Sequence, residues 1–227
     1  EEIDALHSLS MQGVDGIILF PTYRSAETLA QFARASRPLV LFDSASVHPN
    51  VATIQVNLYR GGCLAVEHLI ERGHRAIGML SESVCSTRRG QRRRAFQETL
   101  TRHGLLGATA PIVYAPPTAE GGYNSALQLL QLDPSITAIF AQNDLMAFGA
   151  IRACAQVGRR IPNDCAVVGF DDIYLAAMMA PALTTVRIDR RLLGRLAVER
   201  LMQMMANSEH DYPPIHLDVE LIIRESI

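Results

Sequence analysis

Short, nearly continuous apolar runs recur along this chain, and between most of them lie stretches with apolar residues at three- and four-residue spacing. The runs are Asp15–Phe20, Pro38–Phe42, Ala52–Val56, Ala76–Leu80, Ile112–Ala115, Ile136–Ala141, Cys165–Phe170 and Leu183–Val186, with a last one at about Ile215–Ile223. Their length and β-branched content read as strands covered on both faces. The intervening stretches Ser25–Ala35, Tyr59–Glu71, Arg88–His103, Ala119–Leu130, Asp144–Val157 and Arg190–Met205 read as helices. Gly73, Gly104 and Gly158 sit just past helix ends, where a left-handed residue is wanted. Alternation of this kind gives an α/β fold with parallel sheets and helices on both faces. About eight or nine strands are many for one open sheet, so two smaller sheets are expected.

Composition sets limits rather than a function. A hydrophobic share of 48% with 19% charged residues reads as an ordinary globular chain. The net charge of -2 lacks the basic excess usual for a surface that grips nucleic acid. Cys63, Cys85, Cys154 and Cys165 never fall at C-x-x-C spacing, so they read as buried thiols in a reducing compartment. The first residues show neither a basic nor an apolar signal region, and no apolar run is long enough for a membrane span. Ile3, Leu6, Leu9 and Val14 instead suggest one side of an amphipathic helix.

In parallel α/β sheets, ligands gather outside the carboxyl ends of the strands. The polar residues that follow the runs are Asp43, Ser81 with Glu82, Asn143 with Asp144, and Asp171 with Asp172. Each oxygen of a carboxylate or amide accepts two hydrogen bonds, which suits ligand hydroxyls. The bland reading is helix capping, which Asp and Asn also favour. Arg92 is more pointed. The stripe Ala95, Phe96, Thr99, Leu100, His103 marks a buried helix face, and one turn back it meets Arg92. A cation near a helix N-terminus opposes the macrodipole, so an internal carboxylate or a ligand must compensate it. Arg93 and Arg94 fall on the flanks and read as solvated. The run could be taken for a nucleic-acid patch, but only part of it shares one face.

Patterns for catalysis, metals or phosphate loops are missing, so no catalytic residue, metal or cofactor is expected. His68 and His74 are six apart, off the spacing that aims two imidazoles at one metal, and read as structural. Met178, Met179, Met202, Met204 and Met205 read as core or interface filler.

Several segments resemble the sensing domain of the lac-repressor/gal-repressor family of bacterial transcription regulators. They are Val14–Leu19, Ala65–Leu80, Thr137–Ala153, Ile161–Ile173, Pro181–Leu201 and Glu220–Ser226, in order along the chain. The resemblance implies two Rossmann-like lobes of the type I periplasmic-binding-protein kind, with a ligand cleft between them. Residues 1–56 with 188–208 would form the N-terminal lobe, and 57–187 with 209–227 the C-terminal lobe. It implies ligand contacts from Asp43, Arg92, Asn143 and Asp171. Ala95 stands where the family usually has Gly, Asn57-Leu58 where it has Asp-Asn, and Ile188 where it often has Gln. Pro117 stands where some members stack an aromatic ring on a sugar, which leaves the ligand's identity open.

The resemblance further implies a cytoplasmic homodimer that is not an enzyme. Its partners would be a small effector (a sugar, sugar phosphate, sugar acid or nucleoside) and operator DNA, with no membrane. A helix-turn-helix headpiece, and the first strands of the first lobe, would lie upstream of this chain. The alternative is a periplasmic sugar-binding protein of a transporter, with the same two-lobed architecture.

Overall fold

A computed structural model describes residues 8–9, 11–20, 37–43, 50–82, 87–105, 110–207 and 212–227. The expected helix Ser25–Ala35, and most of the N-terminal helical stretch, lie outside them. The strands are β1 (Ile17–Leu19), β2 (Leu39–Phe42), β3 (Val51–Val56), β4 (Ile77–Ser81), β5 (Ile112–Tyr114), β6 (Ala138–Ala141), β7 (Ala166–Asp171), β8 (Thr184–Arg187), β9 (Ile215–Leu217) and β10 (Glu220–Ile222). The helices are α1 (Leu58–Glu71), α2 (Thr87–Arg102), α3 (Ala119–Leu132), α4 (Asp144–Gln156) and α5 (Arg190–Ala206). Gly73, Gly104 and Gly158 have φ of +94°, +68° and +78°, the conformation expected after α1, α2 and α4.

The chain forms two compact units: Glu1–Asn57 with Asp189–Asp218, and Leu58–Ile188 with Val219–Ile227. The first holds a parallel sheet of order β1-β2-β3-β9. Leu39, Leu41 and Val51 are buried there, with Ile17 and Leu19 packed against them. Helix α5 lies on this sheet through Leu193, Ala197 and Met204, and Gly16 leaves room for Leu201. Met204 is buried on this helix, as the core reading expects, while Met202 and Met205 are exposed.

The second unit holds a sheet of order β10-β8-β7-β6-β4-β5, parallel except for the β10–β8 pair. Successive side chains of a strand point to opposite faces, and β6 shows both faces covered. Ile139 and Ala141 join the core formed with α3 and α4, while Phe140 meets Phe96 of α2 at a centroid distance of 6.4 Å. This two-sided burial is why the strands read as unbroken apolar runs. Gly62 of α1 faces Ala95, whose Cβ would lie 2.7 Å from a Cβ at that position. The alanine that departs from the family's usual glycine thus packs on a glycine across the helix pair.

Two expectations are corrected. A single last strand over 215–223, assigned with 209–227 to the second lobe, is two strands in two sheets. β9 pairs with β3, and β10 pairs with β8. No Gly or Pro breaks the run, so its pattern is continuous. The switch falls at Asp218–Val219, beside Asn57, whose N–H donates to the Leu217 carbonyl and whose amide donates to Asp218. The buried stripe of α2 ends at Leu100. His103 is exposed, because the helix closes at Arg102 and Gly104 turns the chain away.

Helices α3 and α4 pack backbone to backbone. A Cβ at Gly149 would fall 2.1 Å from the Ala119 carbonyl oxygen and 2.4 Å from the Tyr123 nitrogen. Neither atom can yield without moving a helix. Gly149→Ala is therefore expected to destabilise the fold by about 1–3 kcal/mol, despite alanine's better helix propensity. An unchanged urea midpoint in that variant would contradict this packing.

Candidate functional site

Three consecutive residues after β6 tie it to its neighbours' carboxyl ends. The first is Gln142, which is buried. Its side-chain oxygen accepts from Ser81 Oγ at 2.7 Å and from the Glu82 N–H at 2.9 Å. Its side-chain nitrogen donates to Glu82 Oε2 at 3.1 Å, and its backbone carbonyl accepts from Arg92 Nη1 at 2.8 Å. The second is Asn143, the N-cap of α4. Its oxygen accepts from the Met146 N–H at 2.8 Å, and its nitrogen donates to the Pro117 carbonyl at 3.2 Å. The third is Asp144, which accepts from the Ile173 N–H after β7 and from the Thr185 hydroxyl on β8.

Arg92 is buried on α2 and its guanidinium lies over the Phe170 ring, 4.7 Å from the centroid. Its Nη1 is 3.9 Å from Asp171 Oδ1. The compensation that sequence demanded therefore comes from inside, from a carboxylate and a carbonyl. Asp171 and Asp172 both have positive φ, +109° and +49°, a conformation costly for residues with a Cβ. Asp172 is held by Arg187 Nε and Arg224 Nη2, both at 2.7 Å. Burial is the largest single influence on the Asp172 carboxyl and pushes its pKa up. The hydrogen bonds and charges of the two arginines outweigh burial and hold it below the ordinary value. Asp144 goes the other way. Burial pushes its carboxyl up to about 7, its two donors oppose the rise, and the nearby Asp171 and Asp172 charges add to it.

Of the sequence-predicted residues, the structure brings Arg92 and Asp171 together and sets Asn143 beside the carbonyl that Arg92 grips. Asp43 stands in the first unit after β2, at φ +49°. Its N–H donates to the Ile54 carbonyl, and its Oδ1 accepts from the Val56 N–H at 2.6 Å, so it fastens β2 to β3. Helix capping is thus part of what Asn143 does, while Asp43 links two strands. Sequence reasoning passed over Gln142, whose only signal was a polar residue directly after a buried strand.

Other readings can be placed. His68 is buried, 3.9 Å from Glu71, and His74 Nδ1 is 3.0 Å from the Thr137 hydroxyl. Burial first, then Arg72 and Arg75 respectively, lowers both imidazoles' pKa values. Arg93 hydrogen-bonds the Tyr114 hydroxyl and Arg94 pairs with Glu98. Cys63, Cys154 and Cys165 are buried free thiols, while Cys85 lies outside the described residues. Among the described residues no cluster of His, Cys, Asp or Glu is placed to hold a metal, and no helix is long and apolar enough to cross a membrane.

Residues 66–227 match the model of the periplasmic binding protein-like domain. The HTH-type transcriptional repressor PurR of Photobacterium profundum is 34% identical over 226 residues, covering 99% of this chain and 67% of that protein. The chain belongs to the lac-repressor/gal-repressor family. Its fold agrees with solved members. A LacI family regulator from Enterococcus faecium with bound ribose superposes with a TM-score of 0.91 at 26% identity, covering 99% of this chain and 84% of that one. The lac repressor dimer bound to operator and the anti-inducer ONPF gives 0.84 at 29%, covering 98% and 77%. The two-lobed α/β architecture is that of type I periplasmic-binding-protein-like domains. The chain is the effector-sensing domain of a LacI-family transcription regulator, and the transporter alternative is set aside.

Proposed function

We propose that this domain binds a sugar or sugar derivative and does no chemistry on it. Arg92, Asn143 and Asp171 would contact the effector from the strand ends of the second unit, and Asp43 from those of the first. The observation that carries the reading is Arg92, a buried cation held at a strand end between a carboxylate and a backbone carbonyl. A planar guanidinium kept in one orientation can direct several N–H donors at hydroxyl oxygens. The ribose bound by the E. faecium regulator supports the ligand class. Effector occupancy would change the operator affinity of a cytoplasmic homodimer, with DNA read by a helix-turn-helix headpiece of the same regulator.

A thermal-shift panel of sugars, sugar phosphates, sugar acids and nucleosides tests this. A ligand that binds only the native state adds about 2.7 kcal/mol of stability at 100 times its Kd. One class is expected to raise the melting temperature. A panel in which only nucleosides do so would overturn the sugar assignment, and a panel with no shift would overturn the effector reading for these compounds.

A further inference from the structure

The hydrogen bonds around Gln142 do more than close a loop. We infer that Gln142 is a positioning residue that binds Glu82 and Arg92 into one network at the strand ends. This rests on Arg92 being an effector contact. The register of β4 against β6 pairs Leu80 with Ala141, so Ser81, the last residue of β4, and Gln142, the first after β6, lie side by side. The Gln142 N–H donates to the Leu80 carbonyl at 2.9 Å, which continues the ladder one step past the strand. Its side chain then spans back to β4 with three contacts: Ser81 Oγ, the Glu82 N–H and the Glu82 carboxylate. Its carbonyl faces the other way and takes Arg92 Nη1.

One residue therefore fixes both a carboxylate and a guanidinium that belong to different elements. An amide can do this on the β4 side at every pH, whereas an ionised carboxylate, which only accepts, cannot. The side chain must accept from two donors with one atom while donating to a carboxylate with the other. With the side chain fixed, the 142 carbonyl has one orientation, and the Arg92 guanidinium is held against it and the Phe170 face. Shortening the side chain removes the link between the 81–82 segment and residue 142, leaving only the backbone bond from the 142 N–H to the Leu80 carbonyl between them. Arg92 then keeps the 142 carbonyl as its acceptor, but that carbonyl is held less firmly.

The test reads the order of Arg92 directly, in the full 227-residue chain without effector. Rotation about the guanidinium bonds of Arg92 is followed by nitrogen NMR in wild type, Gln142→Ala and Gln142→Glu. In Gln142→Ala the 142 carbonyl remains but loses its side-chain anchorage to β4, and the rotation should speed up by about tenfold, as expected for weakening of one hydrogen bond from a charged donor. In Gln142→Glu the new carboxyl can donate to Glu82 only while it keeps its proton. Arg92 should stay as slow as in wild type at about pH 5 and loosen at about pH 8, where two carboxylates oppose each other. A purely structural role predicts lower stability with no dependence of Arg92 on that proton. Wild-type rotation in Gln142→Ala, or a pH-independent Gln142→Glu, would overturn the assignment. If Gln142→Ala fails to fold, the pH comparison within Gln142→Glu decides alone. A negative effector panel would leave this measurement untouched, so the two readings fail separately.

Discussion

Arg92→Ala is expected to abolish effector response while the domain stays folded. The guanidinium is buried, bonded to the Gln142 carbonyl and 3.9 Å from Asp171. Alanine removes every donor at once and takes away the guanidinium that lies 3.9 Å from Asp171. Losing a hydrogen bond from a charged donor to a ligand hydroxyl costs about 1.5–3 kcal/mol, which is about tenfold or more in affinity for each bond lost. The cost to folding is smaller. Asp171 is a third exposed, so water takes over part of the lost pairing, and about 1–2 kcal/mol is expected. Arg92→Lys is the informative companion. It keeps the charge but loses the planar fork, so it should fold like wild type yet recover little affinity. The check is calorimetric titration of the compound that wins the thermal-shift panel. Wild-type affinity in Arg92→Ala would remove this residue from the site and leave it a structural ion pair.

Strands β2, β3, β4, β6 and β7 were legible because they are buried along nearly their whole length and so read as nearly unbroken apolar runs. The division of the last run was hidden, although its residues are half exposed. Nothing in Ile215–Ile223 marks Asp218–Val219 as a boundary, since which sheet a strand joins is decided by its partner, β3 or β8. At the site, Arg92 was legible because a charge on an apolar stripe demands an explanation. Gln142 was not, because its role depends on the β4–β6 register, which places it beside Ser81. The left-handed turn at Asp171-Asp172 was equally hidden, since neither residue is a glycine. The family resemblance pointed to Asp171 as a ligand contact, whereas the structure adds that its neighbour Asp172 clamps Arg187 and Arg224. Asp144, read as one more cap, is instead buried one position inside a helix that Asn143 caps.

That burial gives Asp144→Asn an expected pH signature. Burial is the main cause of the rise in the Asp144 pKa from 3.8 to about 7. Between those two pH values the folded chain keeps a proton that the unfolded chain releases. The stabilisation is complete below about pH 4 and is lost as pH rises through about 7. A shift of this size corresponds to on the order of 4 kcal/mol across the window. Asparagine mimics the protonated acid, with its oxygen accepting from the Ile173 N–H and its nitrogen donating to Thr185 Oγ1. It also fits against Gly169, where a Cβ would lie 2.4 Å from Asp144 Oδ1. Two other sets of groups titrate differently. Asp172, with its pKa held low, loses stability only as pH falls below the ordinary carboxylate range. His68 and His74, with lowered pKa values, lose stability as pH falls through their ordinary 6.5, which is the opposite slope. The difference between wild type and variant cancels these contributions and isolates Asp144. Urea unfolding at intervals between pH 5 and pH 8 should show the variant gaining on wild type as pH rises, most steeply between about pH 5 and pH 6 and levelling off through about pH 7. Parallel curves would mean that Asp144 holds its carboxylate at ordinary cost, and that its grip on Ile173 and Thr185 is that of a charged acceptor at every pH tested.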